Sequence, residues 1–209
     1  MQVKSSSNYP VKALLFDLGG VVIDIDFSRM FSRWAMYSGR SIDEIRSRFS
    51  MDPVYQAHEK GEISITEYFS SLRDTLAIDI SDIQFEEGWN SIFKAEISGM
   101  SELLQNVKGK LPLYAFTNSN RAHEKVWSRQ FSQILAHFET VFISSDIGLR
   151  KPEAEAFHFV ADAIGTDPGQ IAFYDDSIEN IAGARDVGLD AVHVRSLSDV
   201  RDSLTKILG

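Results

Sequence analysis

The sequence predicts an α/β protein: a doubly wound parallel sheet with an all-helical unit inserted near its start. Three observations carry that expectation. The stretch Ala13-Leu14-Leu15-Phe16-Asp17-Leu18-Gly19-Gly20-Val21-Val22 is an apolar run of strand length that ends in one acid and a Gly pair. A run without polar alternation belongs to a strand buried on both faces, as in the middle of a parallel sheet, and the Gly pair lets the chain turn sharply. From about Ile97 onward, strand-length apolar runs alternate with helical patterns, which predicts parallel strands joined by right-handed crossovers. Between the two, from Phe27 to Lys94, apolar residues recur at helical spacing alone.

The elements follow in order. Residues 1–10, with Ser5-Ser6-Ser7-Asn8, read as a disordered tail. Val11 to Asp17 is the first strand, and Val21, Val22 and Ile23 a short extended piece that ends in Asp24 and Asp26. The first inserted helix carries Phe27, Met30, Phe31 and Trp34. Ser41-Ile42-Asp43-Glu44 starts a second, with acids in its first turn. Asp52-Pro53 opens a third, with Pro at the first position, and Gly61 stops it. Ser64 and Glu67 make a capping box before Tyr68, Phe69 and Leu72, and Ser81-Asp82 begins a last helix through Phe85, Trp89 and Phe93. No strand is expected there.

A helix from Met100 to Val107 then leads to the strand Leu113–Thr117. A long helix from about Arg121 to Phe138 leads to Val141–Ser144, and one from Pro152 to Ile164 to Ile171–Tyr174. Ile178–Val187 is helical up to Gly188, Ala191–Val194 is the last strand and Leu197–Leu208 the last helix. The result is a five-stranded, Rossmann-like core of residues 1–26 and 95–209, with residues 27–94 as the inserted unit.

Composition excludes several classes of function. The net charge is −9 and no run of Lys or Arg occurs, so a phosphate-tracking nucleic-acid surface is not expected. There are no cysteines, which excludes disulfides, thiolate metal sites and Cys nucleophiles and agrees with a cytoplasmic setting. The start is polar and lacks the apolar core of a signal peptide. No apolar segment approaches the roughly 20 residues that span a bilayer, so no membrane partner is expected. Neither GxxxxGK[ST] nor GxGxxG is present, and the five His show no ligand spacing.

The chemistry gathers at strand ends, which in a parallel sheet share one edge, where such sheets bind ligands. Asp17 ends the first strand, Thr117-Asn118 the second, Ser144-Ser145-Asp146 the third and Asp175-Asp176 the fourth. If the sheet changes direction beside the first strand, Asp17 faces Asp175-Asp176 on one side and Thr117 on the other. Clustered carboxylates repel one another; a hard divalent cation resolves the repulsion, and all-oxygen ligands favour Mg²⁺. The alternative is three surface carboxylates that never meet. Beside a metal, Thr117 becomes a hydroxyl donor to phosphate, and Lys151 neutralises a phosphate and a nucleophilic carboxylate together. Asn180, four residues after Asp176, supports the metal ligands.

Together these residues resemble the haloacid dehalogenase superfamily. Phe16-Asp17-Leu18-Gly19-Gly20-Val21 looks like its first motif, Ala115-Phe116-Thr117-Asn118 its second, Arg150-Lys151-Pro152-Glu153 its third and Phe173-Tyr174-Asp175-Asp176-Ser177 its fourth. The helical insert resembles the family's cap. Within the superfamily, the stretches Val22–Phe27, His58–Ile63 and Arg150–Ala154 are similar to sugar-phosphate phosphatases acting on glucose 1-phosphate and to the N-terminal phosphatase domain of soluble epoxide hydrolases.

The resemblance implies Asp17 as nucleophile and a Mg²⁺ held by Asp17, Asp176 and the Gly19 carbonyl, with Asp175 and Asn180 behind them. It implies phosphoryl oxygens held by Thr117, the backbone N–H of Asn118 and Lys151, and a small phosphorylated metabolite as substrate. The cap is expected to set substrate choice, with Glu59 and Trp89 as first candidates. One position departs from the pattern. Most family phosphatases carry a second Asp two residues after the nucleophile as general acid and base, and here that position is Gly19. Asp24 and His58 are candidates to replace it. The rivals are a metal-free dehalogenase, against which Asp175-Asp176 stands; a phospho-acceptor signalling domain, which needs no helical insert; and a non-catalytic sugar-phosphate-binding module, which Gly19 motivates.

Overall fold

The computed structural model describes residues 10–209; of the tail expected over residues 1–10, residues 1–9 lie outside them. β1 (Ala13–Phe16) runs through a tight loop into β2 (Ile23–Ile25). Five helices follow: α1 (Phe27–Ser38), α2 (Ile42–Arg48), α3 (Pro53–Glu59), α4 (Ile65–Leu76) and α5 (Asp82–Trp89). β3 (Phe93–Glu96) brings the chain back, and α6 (Met100–Val107), β4 (Leu113–Thr117), α7 (Arg121–Gln130), α8 (Ser132–Leu135), β5 (Thr140–Ile143) and α9 (Ser144–Ile147) succeed it. The chain ends with α10 (Ala154–Ile164), β6 (Ile171–Asp175), α11 (Ile178–Asp186), β7 (Asp190–His193) and α12 (Leu197–Leu208).

The main sheet has the order β5-β4-β1-β6-β7 and every pairing in it is parallel. The chain leaves β1 toward β4 on one side and reaches β6 on the other, so β1 sits at the switch point where a doubly wound sheet opens a crevice. All four residues of β1 are fully buried, which is why the run shows no polar alternation. Its alternate side chains still divide between the faces. Leu14 and Phe16 pack with Met100, Leu104, Val200 and Leu204. Ala13 and Leu15 pack with Phe157, Val160 and Ile181 on the other side. Phe16 is level with Ala115 on β4 and Tyr174 on β6, so Asp17, one residue on, comes level with Asp175.

Helices α1–α5 bury a core of their own, largely aromatic, around Trp34, Phe85, Trp89, Tyr55 and Tyr68. Their starts carry the expected caps: capping boxes at Ser41/Glu44, Ser64/Glu67 and Ser81/Gln84, and Asp52 before Pro53. Each satisfies backbone N–H groups that the first turn leaves without partners. Gly88 lets α5 lie against α1, since a Cβ there would stand 2.3 Å from Trp34 Nε1, while that indole donates to the Phe85 carbonyl at 3.1 Å.

β2 and β3 pair antiparallel as a two-stranded ribbon between this helical cap and the main sheet, with Ile25 opposite Phe93. Here the structure corrects the sequence reading, which extended a helix through Phe93. Lys94, Ala95 and Glu96 are exposed, so no burial pattern marks the strand; its partner β2 makes it one. The helix expected over 121–138 is likewise broken at Phe131, whose φ of −113° leaves the helical range and separates α7 from α8. Ser144 opens the single turn α9 instead of ending β5. Among the described residues no helix is long and apolar enough to cross a membrane.

Candidate active site

The loop after β1 is shaped by its own backbone. Asp17 N donates to the Tyr174 carbonyl at 2.8 Å, extending the β1–β6 ladder by one residue. Val22 N and Ile23 N both donate to the Leu18 carbonyl, at 2.9 and 2.8 Å, and close a tight loop. Gly20 is required in that loop on two counts. Its φ of +77° lies in the left-handed region, and a Cβ would stand 2.2 Å from Asp176 Oδ2. Gly19 lies outside the left-handed region. A Cβ on it would meet only Ile25, with Cδ1 at 3.1 Å, so its lack of a side chain is not a backbone requirement.

Lys151 is the buried centre of the site, 1% exposed. Its Nζ lies 2.9 Å from Asp17 Oδ1 and donates to Asp175 Oδ2 at 2.7 Å and to the Phe116 carbonyl at 2.8 Å. An ammonium has three donors, and here it has three acceptors. The Phe116 and Phe173 rings flank it, their centroids 5.3 and 5.4 Å from Nζ. Its backbone is tied to β4: Lys151 N donates to Asn118 Oδ1 and Asn118 Nδ2 donates to the Lys151 carbonyl, both at 2.9 Å. Asp175 is held in turn by Ser177 N at 2.8 Å and by Asn180 Nδ2 at 3.0 and 3.1 Å.

Carboxylate oxygens of Asp17, Asp175 and Asp176 lie within 4.8 Å of one another. Three carboxylates against one ammonium leave the cluster with excess negative charge. Burial, with Asp175 and Asp176 adding to it, pushes the Asp17 carboxyl up to about 7 against the pull of Lys151. Asp176 is raised by burial and by Asp175. Burial draws the Lys151 ammonium down, but Asp17 and Asp175 outweigh it and hold its pKa above the ordinary value. A hard, all-oxygen, electron-rich cluster of this kind fits a divalent cation.

The cluster forms the floor of a cavity of about 300 Å³ between the sheet and the cap. Asp17, Gly19, Thr117, Asn118, Lys151, Asp176 and Asn180 all line it, as the sequence led one to expect, while Asp175 lies wholly buried beneath. Ile25, Phe27, Met51 and Phe93 add apolar lining, and Tyr55, Glu59 and Arg150 polar lining. Of the two cap candidates, Glu59 lines the cavity and Trp89 does not. Trp89 is buried in the cap core, stacked on His123 with centroids 4.7 Å apart. Asp24 and His58 also fail to reach the cavity. Asp24 pairs with Lys94 on the β2–β3 ribbon, and His58 is buried against the Tyr68 ring, 4.6 Å away.

Tyr55, His123 and Arg150 were missed as lining residues. Arg150 had a signal in its place beside Lys151. Tyr55 and His123 had none, because only the docking of cap on sheet brings them there. Burial lowers His123 to about 3 and its Nε2 contacts the Trp89 carbonyl at 3.1 Å, so it stays neutral and committed.

A fold with its nucleophile candidate at the switch point, beside a buried Lys and an acidic pair under a helical cap, defines a class of hydrolase. The profile of the haloacid dehalogenase-like hydrolases matches residues 11–188, and the chain belongs to that family. It is 22% identical over 204 residues to D-ribitol-5-phosphate phosphatase of Bacteroides thetaiotaomicron, covering 95% of this chain and 99% of that one. It is 29% identical over 84 residues to bifunctional epoxide hydrolase 2 of Rattus norvegicus, a match that takes in 40% of this chain and 15% of that longer protein. Among solved structures it is similar to a haloacid dehalogenase family enzyme of Bacteroides thetaiotaomicron in complex with magnesium and inorganic phosphate, with a TM-score of 0.77, 27% identity and coverage of 90% and 96% of the two chains.

The buried charges yield a stability prediction. Lys151→Met leaves Asp17 and Asp175 without their cation, and breaking a buried pair in this way costs about 3–5 kcal/mol. Without the pull of Lys151 the Asp17 carboxyl rises above its native value of about 7, so the folded variant binds this proton more tightly than the natural protein does; the deficit is therefore greatest at high pH and shrinks as pH falls toward that value. Urea unfolding in EDTA at about pH 8 and about pH 5.5 checks this; equal deficits at the two pH values would contradict it.

Proposed function

We propose that this chain is a Mg²⁺-dependent phosphatase that hydrolyses a small phosphorylated metabolite, a sugar phosphate such as glucose 1-phosphate, through an aspartyl-phosphate intermediate. The observation that carries the reading is the Asp17–Lys151–Asp175–Asp176 cluster on the floor of a cavity between sheet and cap. The relatives named above and the magnesium and phosphate in the similar crystal structure support it. Residues 27–94 serve as the cap that covers the site and sets substrate choice.

Asp17, Asp176 and the Gly19 carbonyl would hold the cation, with Asp175 and Asn180 fixing them from behind. Bound there, Mg²⁺ supplies positive charge against the phosphoryl oxygens and cancels the excess charge of the cluster. An Asp17 oxygen attacks phosphorus in line; the new O–P bond forms as the bond to the leaving oxygen breaks. The Thr117 hydroxyl, the backbone N–H of Asn118 and the Lys151 ammonium stabilise the developing charge. Asn118 offers its backbone because its side chain is spent on the Lys151 backbone. Water then attacks phosphorus, releasing phosphate and the Asp17 carboxylate.

The leaving oxygen must take its proton from somewhere other than position 19. Outside the metal-holding acids, the carboxyl on the cavity wall is Glu59, which Arg150 holds. A positioned general acid is worth about 10²–10⁴ in rate, and its absence matters least for weakly basic leaving groups. An anomeric hydroxyl leaves more readily than an ordinary alcohol, and this favours glucose 1-phosphate over alkyl phosphates.

Two tests follow from the site. Phosphate release should vanish in EDTA and return with Mg²⁺. Calorimetric Mg²⁺ affinity should be full at about pH 8 and fall about ten-fold per unit below pH 6, because Asp17 must lose a proton first. Full activity in EDTA would overturn the metal assignment, and a pH-independent affinity would overturn the raised Asp17 carboxyl. In a leaving-group series, kcat/KM should fall as leaving-group pKa rises, and Gly19→Asp should flatten the slope, with Ile25 yielding a few tenths of an ångström. A slope flat in both proteins would mean that another group already supplies the proton.

A further inference from the structure

The cavity over Asp17 holds one ion pair that the phosphoryl chemistry does not use. Glu59 ends α3, Arg150 precedes Lys151, and they meet across the seam between cap and sheet. Arg150 Nε donates to Glu59 Oε2 at 2.9 Å, and Nη2 lies 2.9 Å from the same oxygen. The guanidinium therefore does not fork across both carboxylate oxygens, and Glu59 Oε1 stands outside the contact. The two side chains are 7% and 15% exposed. Burial raises the Glu59 carboxyl against the pull of Arg150 and a hydrogen bond from the Tyr55 hydroxyl, which lines the cavity beside it.

A buried pair of this kind is a weak stabiliser, since apolar residues of like volume serve a fold as well or better. Its position points to another role. Arg150 is fixed through the bonds of Lys151. The Glu59 carbonyl accepts from Ser144 Oγ at 2.7 Å, and Ser144 Oγ accepts from Ser119 N at 2.9 Å, two residues past Thr117. Both charged side chains are thus held in register with the residues that would grip the phosphoryl group.

We propose that Glu59 and Arg150 are the specificity-determining pair of this site, selecting phosphate esters of polyhydroxylated carbon chains by hydrogen-bonding their hydroxyls. The proposal rests on the phosphatase reading for the identity of the ligand's phosphate. A carboxylate accepts the hydroxyl proton and a guanidinium donates to the hydroxyl oxygen, so the pair answers both roles of a hydroxyl. The apolar lining residues Ile25, Phe27, Met51 and Phe93 offer a hydroxyl nothing. At about 300 Å³ the cavity is at the small end for ligand sites, which suits a short polyol beside a phosphate. A site built to hydrogen-bond a substrate hydroxyl discriminates strongly against the analogue that lacks it.

The test measures calorimetric affinities of the Mg²⁺-loaded full chain for two inert ligands: the methylene phosphonate analogue of glucose 1-phosphate, and methylphosphonate. The natural protein should favour the sugar ligand, and Glu59→Gln should cut the ratio of the two affinities by about ten-fold or more. Arg150→Lys keeps the charge, removes the planar array of guanidinium donors, and should cut the ratio in the same direction; it carries the test if melting shows Glu59→Gln misfolded. Affinities that fall equally for both ligands, or a ratio that neither variant moves, would overturn the proposal. Phosphate release from glucose 1-phosphate by the natural protein is scored separately. If none occurs while the variants still move the ratio, the phosphatase reading falls and the recognition pair stands.

Discussion

Burying the Lys151 ammonium is the constraint from which the rest of the site follows. A charge with 1% exposure is tolerable only if its donors are satisfied, and the fold brings an acceptor from each of three adjacent strands or their ends: Asp17 after β1, the Phe116 carbonyl on β4 and Asp175 on β6. That convergence requires β1 to lie between β4 and β6, which is the doubly wound order observed. It also requires the loop before α10 to reach under the sheet edge, and the paired bonds with Asn118 hold it there. The same arrangement gathers more negative than positive charge. Structure and electrostatics therefore meet in one place: what satisfies the lysine leaves the acids in want of a cation.

The second constraint lies at the seam between cap and sheet. The end of α3 is pressed against the core by the Ser144 hydroxyl and the Glu59–Arg150 pair. Gly61 allows the approach, since a Cβ there would stand 2.6 Å from the Ser145 carbonyl and its φ is +70°. A lid that closes over a reacting phosphoryl group excludes water and completes the site. In this chain the cap brings the Glu59 carboxylate to the cavity lining, where Arg150 of the core meets it. Gly19 lies beside the same seam, where a Cβ would stand 3.1 Å from Ile25 Cδ1 of the β2–β3 ribbon.

Much of this was legible in the sequence because the informative residues sit where periodicity is strongest. A fully buried central strand shows as an unbroken apolar run, and the polar residue that ends it stands out; Asp17, Thr117, Asp175 and Asp176 were each read in that way and each reaches the same edge. The helix starts of the insert were legible through their caps. What failed were features set by tertiary partners. β3 is short and exposed, and only β2 makes it a strand. Trp89 and His58 looked available as aromatic and ionisable cap residues, yet both are consumed by the cap's own packing. Tyr55 and His123 reach the cavity through a docking of two units that no local pattern encodes. Arg150 stood beside a motif lysine and could have been read as its companion.

The central claim is that the Asp17 carboxylate becomes phosphorylated during turnover. Rapid quenching of the Mg²⁺-loaded protein with substrate, reduction of any acyl phosphate with borohydride, and peptide mass spectrometry test it most directly. The account predicts reduction of Asp17 to homoserine, dependent on both substrate and Mg²⁺. Modification at another residue, or turnover with no trapped acyl phosphate at any quench time, would contradict it.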